Sequence, residues 1–143
     1  MHGKKPRDYS YTLQKKGKRQ KEDHDRSVRS LGLRVALSAK MRENRLAIVE
    51  DLNLEQHKTK VLRNMLAQRG WTNALFIDGK PPRVVFDCAG DMVSLNFRRA
   101  SRGLSTIDLL PQRGANVYSI LRRDLVILSL DAVKQLQKRL ATK

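Results

Sequence analysis

Asp51 and Asp78 each stand at the end of a short apolar run, LAIVE (46–50) and ALFID (74–78). If those runs are strands of a parallel sheet, both carboxylates lie at the strand ends where such sheets bind ligands. A carboxylate pair there could hold Mg²⁺ or the hydroxyls of a ribose. Acids also close strands and cap helices routinely, and that plain role outweighs the catalytic one. No other group joins them. Gly70, Gly79, Gly90, Gly103 and Gly114 are isolated and form neither a dinucleotide fingerprint nor a P-loop. RGAN (113–116) could bind one phosphate ahead of a helix, but a turn glycine accounts for it better. His2, His24, His57 and Cys88 show no metal-ligand spacing, and Cys88 has no neighbouring base to activate it. The expectation is no catalytic residue, no bound metal and no cofactor. A small phosphate-handling α/β enzyme using Asp51 and Asp78 is the alternative.

The cations do assemble. Lys4, Lys5, Arg7, Lys15, Lys16, Lys18, Arg19 and Lys21 crowd residues 4–21 against Asp8 alone. Such a segment cannot bury itself, and it gains free energy by neutralising phosphates and releasing their counterions. Tyr9 and Tyr11 sit among these charges, where each could stack on an unpaired base for roughly 1–3 kcal/mol. Arg7 suits two-pronged phosphate contact better than a lysine. Arg26, Arg29 and Arg34 continue the series, and Lys58 and Lys60 open a later helix. Arg98, Arg99, Arg102, Arg122 and Arg123 fall near helix ends, where they favour the helix dipole, and are read first as structural or solvated.

The elements that carry these groups follow from hydrophobic periodicity. Val28, Leu31, Val35 and Ala39 fall at helical spacing, so residues 28–44 form a helix, while 17–27 read as a loop or frayed helix start. LAIVE, ALFID, TIDLL (106–110) and LVILSL (125–130) are apolar runs of strand length, alternating with helical patterns. Asn53 and Gln56 have capping-box spacing before a helix that Gly70 ends. Helices also cover Met92–Arg102, Asn116–Arg123, with Val117, Ile120 and Leu121 on one side, and a last stretch capped by Asp131. VVF (84–86) is a strand or loop. Alternation of this kind gives a three-layer α/β/α sandwich on a mostly parallel four-stranded sheet. The division is a basic arm and linker over 1–27, extended in form, and a globular α/β domain over 28–143.

The totals agree. The 143 residues hold 30 Lys and Arg against 14 Asp and Glu, a net +16, with 40% hydrophobic residues. That charge would make an isolated compact body repel itself, so a polyanion is the expected partner, nucleic acid before membrane. No run approaches the roughly 18 apolar residues of a membrane span, and the arm lacks an apolar face for the interface. The single cysteine suits a reducing compartment. The chain opens in charged sequence without a signal core, and is expected to be a mature or truncated form.

PRDYSYTLQKK (6–16), VRSLGLRVALSAK (28–40), LAIVEDLNLEQHKTKVL (46–62) and RGANVYSILRRDLVILSLDAVKQLQKRL (113–140) resemble, in order, the large-subunit ribosomal protein L-four family. The resemblance implies a parallel α/β body on the subunit exterior and a basic extension that runs through large-subunit RNA towards the peptide exit tunnel. It implies a structural and assembly role, with large-subunit rRNA and neighbouring ribosomal proteins as partners. It carries RNA contacts to Arg7, Tyr9, Lys15 and Lys16, and matches Lys58-Thr59-Lys60 to the family's Lys-Thr-Lys. The glycine- and arginine-rich tunnel tip has no counterpart here, GKRQKEDHDRS (17–27) is additional, and 81–91 departs from the bacterial pattern. His2-Gly3, Leu31-Gly32-Leu33 and Trp71 resemble mitochondrial members, which makes the mitochondrial matrix the expected location and the bacterial cytoplasm the alternative. An RNA-binding module working off the ribosome is a further alternative.

Overall fold

The computed structural model describes residues 9–79 and 92–141, with side chains from Lys21 onward except Asp23 and residues 92–94. Lys4, Lys5, Arg7, the 84–86 run and Cys88 lie outside the described residues. In chain order the elements are α1 (Tyr9–Arg42), β1 (Leu46–Val49), α2 (Thr59–Gln68), β2 (Ala74–Asp78), α3 (Met92–Ser101), β3 (Ile107–Pro111), a 3₁₀ turn (Gln112–Gly114), α4 (Val117–Arg122), β4 (Leu125–Ser129) and α5 (Leu130–Leu140). The chain divides into two compact units, 1–32 and 33–143.

The four strands form one wholly parallel sheet in the order β1-β4-β2-β3. The central strands β2 and β4 are buried on both faces, whereas the edge strands are only partly covered, with Ile48 of β1 55% exposed. Alternate side chains serve the two layers. Leu75, Ile77, Val126 and Leu128 point to one core, which they share with Leu33 and Ala36 of α1, Ile120 of α4, and Ala132 and Leu136 of α5. Ala74, Phe76 and Ile127 point to the other, against Leu62 and Leu66 of α2 and Phe97 and Ala100 of α3. Phe76 lies 4.8 Å, centroid to centroid, from Phe97 in that second core. The α/β/α sandwich is therefore the observed architecture.

Several local expectations are corrected. From Tyr9 the arm is helical and not extended, and residues 17–27 belong to that helix instead of forming a loop. Lys, Arg, Gln and Glu are good helix formers and no proline interrupts the stretch, which outweighs Gly17 and the weaker formers Asp23, His24, Asp25 and Ser27. Within 33–42, α1 buries Leu33, Ala36 and Lys40, whereas Val28, Leu31 and Val35 are 55%, 55% and 60% exposed. Both stripes have helical spacing, so periodicity could not choose between them. Small Ala36 permits close approach to the sheet, and Lys40 Nζ donates to the carbonyls of Arg123 (2.9 Å) and Asp124 (3.3 Å), which makes a buried ammonium tolerable.

The Asn53–Gln56 capping box does not form, and α2 starts only at Thr59. Leu52 and Leu54 are instead buried in the core, and Asn96 Nδ2 donates to the Leu54 carbonyl at 3.0 Å, pinning 52–58 as irregular chain. The end of α2 is as expected. Gly70 takes φ +70°, its N–H reaches the Ala67 carbonyl and the Trp71 N–H reaches Leu66, the paired closure that glycine permits. In α4, Ile120 is buried but Leu121 faces solvent. The last helix is capped by Ser129, whose Oγ accepts from the Ala132 N–H, and Asp131 sits in its first turn.

Candidate nucleic-acid interface

The carboxylate pair is taken up by the scaffold. Asp78 is 6% exposed, and its Oδ1 accepts from Ser129 Oγ at 3.1 Å. That hydroxyl in turn accepts from the backbone N–H groups of Gly79 (3.1 Å) and Ala132 (3.2 Å). Gln135 Nε2 donates to the Gly79 carbonyl at 2.7 Å. The end of β2 is thus riveted to the first turns of α5. Asp51 Oδ1 accepts from the Leu52 N–H at 2.9 Å, turning the chain out of β1. β4 lies between β1 and β2, so the strands bearing the two acids are roughly 10 Å apart. Both acids close strands, and the enzyme reading is not favoured. Among the described residues no group of His, Cys, Asp and Glu gathers as a metal site.

RGAN is a turn. Gly114 closes the 3₁₀ turn, Asn116 Nδ2 donates to its carbonyl, and Asn116 Oδ1 caps α4 by accepting from the Ser119 N–H at 2.8 Å.

Arg123 is structural, as its position near a helix end implies. It is 7% exposed, and its guanidinium donates to Asp108 Oδ2 (2.7 Å), Asn73 Oδ1 (3.0 Å) and the Ser105 carbonyl (2.9 Å). Its own carbonyl receives Lys40. One arginine therefore joins α1, α4 and the segments leading into β2 and β3. Losing one partner of such a knot costs roughly 3–5 kcal/mol when it is wholly buried, and less here because Asp108 is one-third exposed.

Several of the other cations are exposed. Lys21, Arg26 and Arg29 are exposed on α1, and Arg34 is half-buried. Tyr9, Tyr11, Lys15, Lys16, Lys18 and Arg19 lie along the first turns of the same helix. Lys58 and Lys60 are exposed at the start of α2. Arg102, placed among the structural arginines by its sequence position, is also exposed, just after α3. Its neighbour Gly103 lies against the start of α2. A Cβ built on Gly103 would lie 3.3 Å from Thr59 Cγ2, so residue 103 abuts the residue between Lys58 and Lys60. No sequence pattern signals this approach, because it depends on how α2 and α3 pack. Among the described residues no helix is long and apolar enough to cross a membrane.

Comparison with known proteins gives a consistent picture. The family model described as "Ribosomal protein L4/L1 family" matches residues 1–139. Proteins named "Large ribosomal subunit protein uL4" are among the relatives. That of Bartonella quintana is 39% identical over 138 residues, covering 96% of this chain and 56% of its own length. That of Methylobacterium sp. is 45% identical over 117 residues, covering 82% and 52%. That of Maricaulis maris is 39% identical over 142 residues, covering 99% and 57%. The chain spans about half the length of the curated relatives it matches.

Proposed function

Since the chain belongs to the ribosomal protein L4/L1 family, we propose that it is a structural, non-enzymatic component of the large ribosomal subunit that binds large-subunit rRNA. The observation that carries the mechanism is the crowding of eight lysines and arginines into residues 4–21 against one acid. In this reading residues 1–27 are the RNA-binding arm, and 28–143 form the body. Lys4, Lys5, Arg7, Lys15, Lys16, Lys18, Arg19 and Lys21 neutralise phosphates, and Arg26, Arg29 and Arg34 extend that contact along α1. Tyr9 and Tyr11 stack on unpaired bases. Lys58 and Lys60 add contacts from the body.

Helical backbone from Tyr9 supports the arm's role, since it carries closely spaced cations on a semi-rigid rod and reduces the ordering cost on binding. Recognition is by RNA shape and backbone rather than by base edges. Neighbouring large-subunit proteins are further partners, and the exit-tunnel region is the expected setting. The resemblance of His2-Gly3, Leu31-Gly32-Leu33 and Trp71 to mitochondrial members supports a mitochondrial ribosome. The matched relatives named above are bacterial and support the bacterial cytoplasm as the alternative.

Titration of the chain with large-subunit rRNA at several salt concentrations tests the reading. The logarithm of affinity is expected to fall linearly with the logarithm of salt, with a slope of about −5 or steeper if eight phosphates are engaged. A shallow slope, about −1 or flatter, would contradict arm-driven binding.

A further inference from the structure

We infer that Lys58, Lys60 and Arg102 form a second phosphodiester-contact surface on the α/β body, separate from the arm. The inference rests on the RNA-binding reading and adds Arg102 and a geometric unit to it. Lys58 and Lys60 flank Thr59, and Gly103, the neighbour of Arg102, approaches Thr59 so closely that a Cβ at 103 would lie 3.3 Å from its Cγ2 and 3.6 Å from its Oγ1. The residue that follows Arg102 therefore abuts the start of α2, where Lys58 and Lys60 stand, although the two segments are distant in sequence. All three are exposed, and none is ion-paired among the described residues. Arg63 and Arg99, each one helical turn from the contact, are exposed as well and enlarge the positive field.

Fold stability does not explain this placement. Cations are favourable at helix C-termini and unfavourable at N-termini. Arg102 alone obeys that rule. Lys58 is the N-cap of α2 and makes no side-chain capping bond, and the first turn holds Lys60 and no acid. Where a self-sufficient helix would carry Ser, Asn or an acid, this one carries two lysines. The position is electrostatically costly in the isolated body and becomes favourable when an anion arrives. Cations held at the adjoining ends of two packed helices fit a polyanion, and the phosphodiester backbone of structured RNA has that chemistry.

The test compares the full chain with its Lys58→Gln, Lys60→Gln, Arg102→Gln triple variant by titration against large-subunit rRNA across salt. Thermal unfolding confirms that the variant is folded. The expected result is an affinity about tenfold lower or more at near-physiological salt, with a salt slope shallower by about 2. The charge-retaining variant Lys58→Arg, Lys60→Arg, Arg102→Lys keeps the wild-type slope, which separates charge from packing. Wild-type affinity and slope in the glutamine variant, alongside loss in an arm-neutralised chain, would overturn this inference together with the Lys58 and Lys60 contacts, and leave arm-driven rRNA binding intact. Weak, salt-insensitive binding by the wild-type chain would overturn both.

Discussion

Replacing the eight lysines and arginines of residues 4–21 by glutamine is expected to lower affinity for large-subunit rRNA about a thousandfold at near-physiological salt. The effect is electrostatic. Each cation set against a phosphate releases a condensed counterion, and the gain is the entropy of that ion's dilution. Eight such contacts make log affinity fall with log salt by a slope of about 6 to 7, and the variant should lose nearly all of the arm's share. Glutamine ranks close to lysine and arginine in helix propensity, so the helical backbone of α1 from Tyr9 is retained and the change reports charge. Isothermal titration or filter binding at three salt concentrations measures it. A loss below tenfold, with the slope unchanged, would mean that the arm does not engage phosphates.

The substitution Gly79→Val is expected to destabilise the body by about 3 kcal/mol or more, a large part of the 5–15 kcal/mol that holds a typical domain together. A Cβ at residue 79 would stand 2.4 Å from Ala132 N and from the Asp131 carbonyl carbon, and 2.7 Å from Asp131 Cβ. Most of those atoms are backbone, in the first turn of α5, and they cannot swing aside as a flexible side chain would. Relief requires α5 to move away from the end of β2. That movement breaks the Gly79 N–H to Ser129 Oγ bond and the Gln135 bond to the Gly79 carbonyl, and leaves buried Asp78 with a weakened partner. Gly70→Ala is the internal comparison. It meets open space at φ +70°, so only backbone strain of about 1–2 kcal/mol opposes it. Denaturant midpoints of the two variants measure the contrast, and equal midpoints would show that the contact at Gly79 is not tight.

What could be read from residues alone follows from how local each signal is. The four strands were legible because LAIV, ALFID, IDLLP and LVILS are short, predominantly apolar runs of strand length separated by helical patterns. Gly70 as the end of α2 and Asn116 at the start of α4 were legible because both are short-range caps. The buried face of α1 was not. Val28, Leu31 and Val35 compete with Leu33, Ala36 and Lys40 at equal spacing, and the choice is made by a sheet and by carbonyls more than 80 residues away. Asn53–Gln56 has the spacing of a cap, but the larger gain lies in burying Leu52 and Leu54.

The candidate site divides in the same way. Charge density on the arm is a property of consecutive residues and needed no coordinates. The plain role of Asp78 was the better reading, yet its partner Ser129 is 51 residues away and carried no sequence signal. By sequence Arg102 belongs with the helix-end arginines, because only the packing of α3 against α2 sets Gly103 on Thr59.

The most direct measurement is gradient sedimentation of lysate at increasing salt, following this protein against large-subunit rRNA. Co-migration with the large subunit that survives about 0.5 M salt is the predicted result, since simple surface adhesion falls steeply with salt while a chain threaded into folded RNA is retained. Release into the light fractions at low salt would contradict the account and point to an RNA-binding protein working away from the ribosome.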